Sequence, residues 1–420
     1  MQWAGVGMWM VFGLSACSPT KTEIGNLNVI PQPQEVSQDI QAHPFVINPQ
    51  TGIVYPEGNE KLQRTAEFLA SYIKEATGIT VRTTTEAAKK NSIILAVDSS
   101  ITNKEGYQLE VTSENIHLNG GSESGVFYGM QTLYKALPLT KNKQVSAAIP
   151  VGTVNDYPRF GYRGFMLDVS RNFTTFENMK RVIDLLAYYK LNVLHFHFCD
   201  DEAWRVEIPG LPELTDVASR RGCTFDENEY IAPIFDGNGN PDDLSQSSNG
   251  YYTRQQMIEL LKYAKSKGVK VIPEIETPAH ARAALVAMKA RYNKYAATDM
   301  AMAEQYKMWD DNDKSVYTSA QSYHDNVLNV AHEGVFNFVY KVVDELEKMW
   351  KDAGLKLDIV HLGGDEVPKG SWDASPDIQA LMKAKGLKDA HEVSEYFISR
   401  VTEHLAQKGI KAGGWQEVGL

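Results

Sequence analysis

Between residue 24 and about residue 150 the spacing of hydrophobic positions changes repeatedly. Leu62, Ala66, Leu69, Ile73 and Ala76 recur at steps of three and four residues, which places them on one face of an α-helix. SIILAVD (92–98) is a continuous apolar run of strand length, and YQLEVTSENIHLNG reads as a hairpin turning around Ser113 to Asn115. GVFYGMQTLYKAL follows as a second packed helix. Strands and helices mixed in this way predict an α+β domain over 24–150. His43 and His117 stand alone in it and read as surface or packing residues.

From Gly161 the pattern becomes regular. Short apolar runs alternate with long amphipathic helices: GFMLDV (164–169), NVLHFHF (192–198), VKVIPEI (269–275), LDIVHLG (357–363) and IKAGGW (410–415). Thr174 with Glu177, and Thr253 with Gln256, predict capping boxes at two helix starts. Met179, Val182, Ile183 and Leu186 give the first helix its buried stripe, and Gly268 stops the second. Repeated βα units predict a TIM (β/α)8-type barrel over 161–420, with a doubly wound sheet as the competing architecture. The residues that follow each strand decide for the barrel. They are Asp168 and Arg171, Asp200 and Asp201, Glu276 and His280, Asp365 and Glu366, then Trp415 and Glu417. A barrel gathers such residues at one mouth, whereas a doubly wound sheet spreads them along an edge. Five strands are legible before Leu420 and a closed barrel has eight, so the barrel is expected to be incomplete by about three βα units.

Composition narrows the function classes. The 420-residue chain is 43% hydrophobic and 23% charged, as an ordinary globular protein is. Its formal net charge of −11, with no Lys or Arg cluster, argues against a nucleic acid or an anionic lipid surface as the main partner. The three cysteines, Cys17, Cys199 and Cys223, are too few for a disulfide framework, and the last two read as reduced thiols. The first seventeen residues, MQWAGVGMWMVFGLSAC, are apolar, uncharged and too short to span a bilayer. They read as an export signal, in which LSAC resembles a bacterial lipobox with Cys17 as the lipidated residue.

The chemistry concentrates in HLGGDEV (361–367). Adjacent strand residues point to opposite faces, so Asp365 and Glu366 can share a site only where the strand is ending, and Gly363 and Gly364 provide that relaxation. Two carboxylates in one cleft suggest glycoside hydrolysis, in which retaining enzymes set an acid/base and a nucleophile about 5 Å apart across the scissile bond. Neighbours in sequence are poorly placed to flank a sugar from both sides. If one is the acid, the other more naturally orients the substrate, whose own atoms then supply the nucleophile.

RGFMLDVSRNF, VLHFHFCDDEAWR, IPEIETPAHARA, HLGGDEV and GGWQEV, in this order and spacing, resemble the successive strand-end motifs of family 20 glycoside hydrolases, the β-N-acetylhexosaminidases. The stretch before Gly161 is similar to the α+β domain that precedes the barrel in that family. The resemblance implies substrate-assisted retaining hydrolysis of terminal GlcNAc or GalNAc from glycans, through an oxazolinium intermediate formed by the 2-acetamido carbonyl. By similarity, Glu366 is the acid/base and Asp365 orients the acetamido N–H. Asp200 and His280 bond toward the acid/base, Arg171 holds sugar hydroxyls, and Trp415 walls the acetamido pocket. His195, His197 and His361 read as interior packing and hydrogen-bonding groups, and Asp201 and Glu276 as supporting residues.

Two other readings stand beside this one. An HxH strand end with more histidines downstream also suits a metal-dependent barrel hydrolase, but no ligand set closes, so no metal or organic cofactor is expected. A sugar-binding protein or a catalytically incomplete fragment is the other, because the tyrosine, second tryptophan and carboxylates of the family's later strands have no counterpart before Leu420.

Overall fold

The computed structural model describes residues 21–86, 88–140, 145–232 and 239–419; the expected export signal, with Cys17, lies outside the described residues. The chain divides into two compact units, Met1–Gly161 and Tyr162–Leu420.

In the first unit the apolar stripe around Leu69 folds as the helix Glu60–Thr77, with Leu62, Ala66, Leu69 and Ile73 fully buried. It packs against the helix Glu123–Ala136. Beneath them lies a seven-stranded sheet, with Ser92–Val97 beside the antiparallel hairpin of Tyr107–Val111 and Asn115–Gly120. Alternate residues Tyr107, Leu109 and Val111 are buried, as a strand with one covered face requires.

The second unit is an α/β fold of the TIM-barrel type. Its five parallel strands are Gly164–Asp168, Val193–His197, Lys270–Thr277, Ile359–Gly363 and Lys411–Gly413, lying in the sheet in the order of the chain. A doubly wound sheet would reverse direction at a switch point, and this one does not. The helices Phe176–Tyr188, Arg254–Ser266, Glu333–Asp352 and Ala390–Gln407 each pack against the next, so they form one continuous layer. Helix Glu333–Asp352 shows why: Val335, Phe336, Val339, Val342, Val343 and Leu346 are all buried on one stripe.

The helix starts agree with the sequence in one case and differ in the other. The box at Thr253 and Gln256 forms in both directions, Gln256 N–H to Thr253 Oγ1 at 3.2 Å and Thr253 N–H to Gln256 Oε1 at 2.9 Å. The earlier helix is capped by Thr175 instead of Thr174, its hydroxyl accepting from Asn178 N–H at 3.3 Å. Thr174 uses its carbonyl to accept the Tyr252 hydroxyl, which leaves the next threonine to cap. Cys199 and Cys223 are both free thiols.

Candidate active site

Each strand of the second unit ends in polar residues, and parallel pairing brings those ends together. Beyond Ile359–Gly363 the backbone turns through left-handed conformations at Gly363 (φ 67°), Gly364 (φ 93°) and Glu366 (φ 49°). At Gly363 a side chain is excluded twice over, because an added Cβ would lie 2.0 Å from Glu276 Oε2. The turn makes the two neighbouring acids diverge. Asp365 is partly buried near Glu276, and its Oδ1 is buried with no hydrogen-bond partner. Glu366 is 45% exposed and faces His280 Nε2 at 3.3 Å and the Gln321 amide nitrogen at 3.4 Å. Burial raises the pKa of Asp365. Burial, and then the charge of Glu274, push Glu276 well above the usual carboxylate range.

Behind Glu366 runs a chain of alternating charge. His280 Nδ1 lies 3.2 Å from Asp200 Oδ1 and 3.3 Å from Asp201 Oδ2, close enough for ion pairing but without hydrogen-bond alignment. Asp200 Oδ2 accepts from His197 Nε2 at 2.9 Å, and His197 Nδ1 donates to Glu274 Oε2 at 2.6 Å. Burial by itself disfavours charge on His280, but Asp200 and Asp201 outweigh it and push the imidazole up to about 12. Burial likewise opposes ionisation of Asp200, yet the hydrogen bond from His197, with the nearby charges of His280 and Arg171, holds it well below the ordinary carboxylate range.

Arg171 is set among acids. Its Nη1 lies 2.6 Å from Asp200 Oδ2 and donates to Asp168 Oδ2 at 3.0 Å, while its Nε lies 2.7 Å from Glu202 Oε2. Burial pushes Glu202 up to about 7, with the charge of Arg171 opposing the rise and Asp200 and Asp201 adding to it. Among the described residues nothing is hydrogen-bonded to Nη2 of Arg171, whose side chain is 26% exposed.

On the other flank His195, His197 and His361 converge on the fully buried Glu274, at 3.1, 2.6 and 2.7 Å. Trp415, held by its N–H to Gly363 carbonyl at 2.8 Å, covers His195 and His361 with ring centroids 5.4 and 4.9 Å away. Asp201 is fully buried and accepts from Arg282 N–H and the Asn326 amide. Glu417 is exposed on the turn after the last strand.

The structure therefore brings Asp200, His280, Asp365, Glu366 and Arg171 into one network, with Trp415 on its rim. Sequence reasoning missed Glu274, Glu202, Asn326 and Gln321. Glu274 had a signal: it stands two residues before Glu276 and so on the same strand face. Gln321 and Asn326 lie on a long loop and had none.

His195/Glu274/His361, His197/Asp200/Glu276 and Asp200/Asp201/His280 each bring donor atoms within 4.8 Å, close enough to hold a metal ion. The same atoms also engage one another: His197 bridges Glu274 and Asp200 through its two ring nitrogens, and His280 lies among Asp200, Asp201 and Glu366.

The family model described as glycosyl hydrolase family 20, catalytic domain, matches residues 160–420, and glycosyl hydrolase family 20, domain 2, matches 26–157. The chain is 40% identical to a β-hexosaminidase of Vibrio vulnificus over 332 residues, 78% of this chain and 38% of that protein. It is 31% identical to a β-hexosaminidase of Porphyromonas gingivalis over 426 residues, 99% of this chain and 49% of that one. The crystal structure of a family 20 exo-β-N-acetylglucosaminidase from Vibrio harveyi in complex with N-acetylglucosamine superposes with a TM-score of 0.78 at 30% identity, covering 95% of this chain and 56% of that one. The chain spans about half or less of the length of these curated relatives.

Proposed function

The chain belongs to glycoside hydrolase family 20, and from that premise we propose that it serves as an exo-acting β-N-acetylhexosaminidase, removing terminal GlcNAc or GalNAc from glycans with retention of configuration. The observation that carries the reading is the divergence of two consecutive acids, Asp365 toward Glu276 and Glu366 toward His280. Neighbouring carboxylates are poorly placed to flank one anomeric carbon from opposite faces, and family 20 is a substrate-assisted exception to the two-carboxylate scheme, so in this reading the nucleophile comes from the substrate. The 2-acetamido carbonyl oxygen bonds to the anomeric carbon as the glycosidic C–O bond breaks. Glu366 gives its proton to the departing oxygen and then takes one from the water that opens the oxazolinium ring. The unpaired Oδ1 of Asp365 accepts the acetamido N–H and stabilises the positive charge that develops there. Nη2 of Arg171 is available to a sugar hydroxyl, and the Trp415 indole offers an apolar surface to the acetamido methyl.

Export with lipid attachment at Cys17 belongs to the same reading, supported by the uncharged apolar segment that ends in LSAC. The activity is tested with a nitrophenyl N-acetyl-β-glucosaminide against the matching β-glucoside. Only the first is expected to be cleaved, and equal rates on the two would overturn the assignment.

A further inference from the structure

We propose that Gln321 recognises the leaving group, a role that rests on reading Glu366 as the proton donor. Gln321 lies on the long loop between the helices Met300–Glu304 and Glu333–Asp352. The loop is strapped to the segment that carries His280. Ala281 N–H donates to Asn326 carbonyl at 3.0 Å, and Leu328 N–H donates to Pro278 carbonyl at 2.8 Å. The Asn326 amide reaches Asp201 at 2.9 Å, while Asn326 N–H donates to the Tyr317 hydroxyl at 2.9 Å. Its tip closes on itself: Ser319 N–H donates to Tyr323 carbonyl at 2.8 Å, Tyr323 N–H returns to Ser319 Oγ at 3.0 Å, and both side chains are buried. Gln321 is thereby held in place against Glu366.

Its two amide atoms do different things. The nitrogen faces Glu366 Oε2 at 3.4 Å, the same oxygen that His280 Nε2 approaches at 3.3 Å. One hydrogen bond and one ion-pair contact on the same oxygen leave Oε1 of Glu366 to carry the proton toward the scissile bond. The Gln321 carbonyl oxygen is buried and has no partner. Asp365 is turned toward Glu276, whereas Glu366 is turned toward His280 and Gln321, so Gln321 lies beside the acid that would protonate the glycosidic oxygen. Atoms across the glycosidic oxygen from the acetamido sugar belong to the leaving group. An uncharged carbonyl placed there is an acceptor for a hydroxyl or amide N–H of a departing sugar, and it discriminates against leaving groups that lack one.

The test compares kcat/KM for a β-1,4-linked GlcNAc disaccharide with that for 4-nitrophenyl N-acetyl-β-glucosaminide, whose leaving group has no hydroxyl beside the scissile oxygen. In Gln321→Leu the disaccharide-to-aryl ratio is expected to fall about five- to tenfold, the effect of one lost neutral hydrogen bond, mainly through KM. Gln321→Glu keeps an acceptor in the same place and is expected to restore the ratio to within about twofold of wild type, although a second acid beside Glu366 slows both reactions. Circular dichroism of both variants checks that they fold. A ratio unchanged in Gln321→Leu, with wild type active on both substrates, overturns the role of Gln321 alone. A wild-type protein inert toward both overturns the hydrolase reading and this assignment with it.

Discussion

At the scale of single residues, Asp365 and Glu366 are separated by one peptide bond and by their surroundings. Asp365 is half-buried, with an unpaired oxygen, while Glu366 stands 45% exposed against a protonated imidazole. Their loss should therefore leave different signatures. Glu366→Gln is expected to lower kcat on a disaccharide by roughly 10²- to 10⁴-fold, the usual worth of general acid catalysis. It should cost much less with a nitrophenyl leaving group, which departs without a proton. An equal loss on both substrates would remove Glu366 from the acid role. Asp365→Asn should cost about 10²- to 10³-fold on both, because orienting the acetamido group is needed whatever leaves. Steady-state kinetics showing a mild effect there would mean that the amide is steered from elsewhere.

At the scale of elements, the fourth strand and its exit turn set the position of both acids. Gly363 meets two demands, a left-handed backbone and room for Glu276. Gly386, at a helix end, has the same kind of backbone (φ 72°) but nothing within 4 Å of an added Cβ. Gly386→Ala is thus expected to cost about 1–2 kcal/mol, the left-handed penalty alone. Gly363→Ala should cost clearly more and abolish activity, because Glu276 must move. Urea unfolding of the two variants measures the difference, and equal losses would show that the Glu276 contact yields freely. The same element scale explains the cap at Thr175. Two consecutive threonines offered two starts, and the Tyr252 hydroxyl, brought in from a segment far along the chain, took the carbonyl of the first.

At the scale of the whole molecule, the buried charges of the second unit couple its stability to pH. His280, raised from 6.5 to about 12, contributes fully below about pH 6.5 and progressively less as pH rises toward 12. Glu202, raised from 4.5 to about 7, contributes fully below pH 4.5 and loses its part as pH passes 7. Asp200, held below its ordinary 3.8, has the opposite sign: its contribution is present above that pH and is lost as pH falls further. The second unit is accordingly expected to be most stable in mildly acidic solution, with a falling Tm toward pH 9. Glu202→Gln should flatten the part between pH 4.5 and 7. Thermal melts of the chain followed by circular dichroism check both, and a Tm rising steadily through that range would contradict the charge network.

The local order of the chain was legible because local physics sets it. The three- and four-residue stripe around Leu69 needs only a neighbour to cover it, the alternation around Leu109 needs only one buried face, and five strand ends carrying polar residues required a fold that gathers them. Asp365 and Glu366 stood out because two glycines before two acids is costly unless the turn has a use. Which acid faces His280, which lies by Glu276, and why three histidines surround Glu274 were decided by parallel strands meeting side by side, residues 77 to 89 positions apart in the chain. The Gln321 loop lay furthest beyond reach. Its place beside Glu366 comes from backbone bonds between Asn326 and Ala281 and between Leu328 and Pro278, which no periodicity of side chains records.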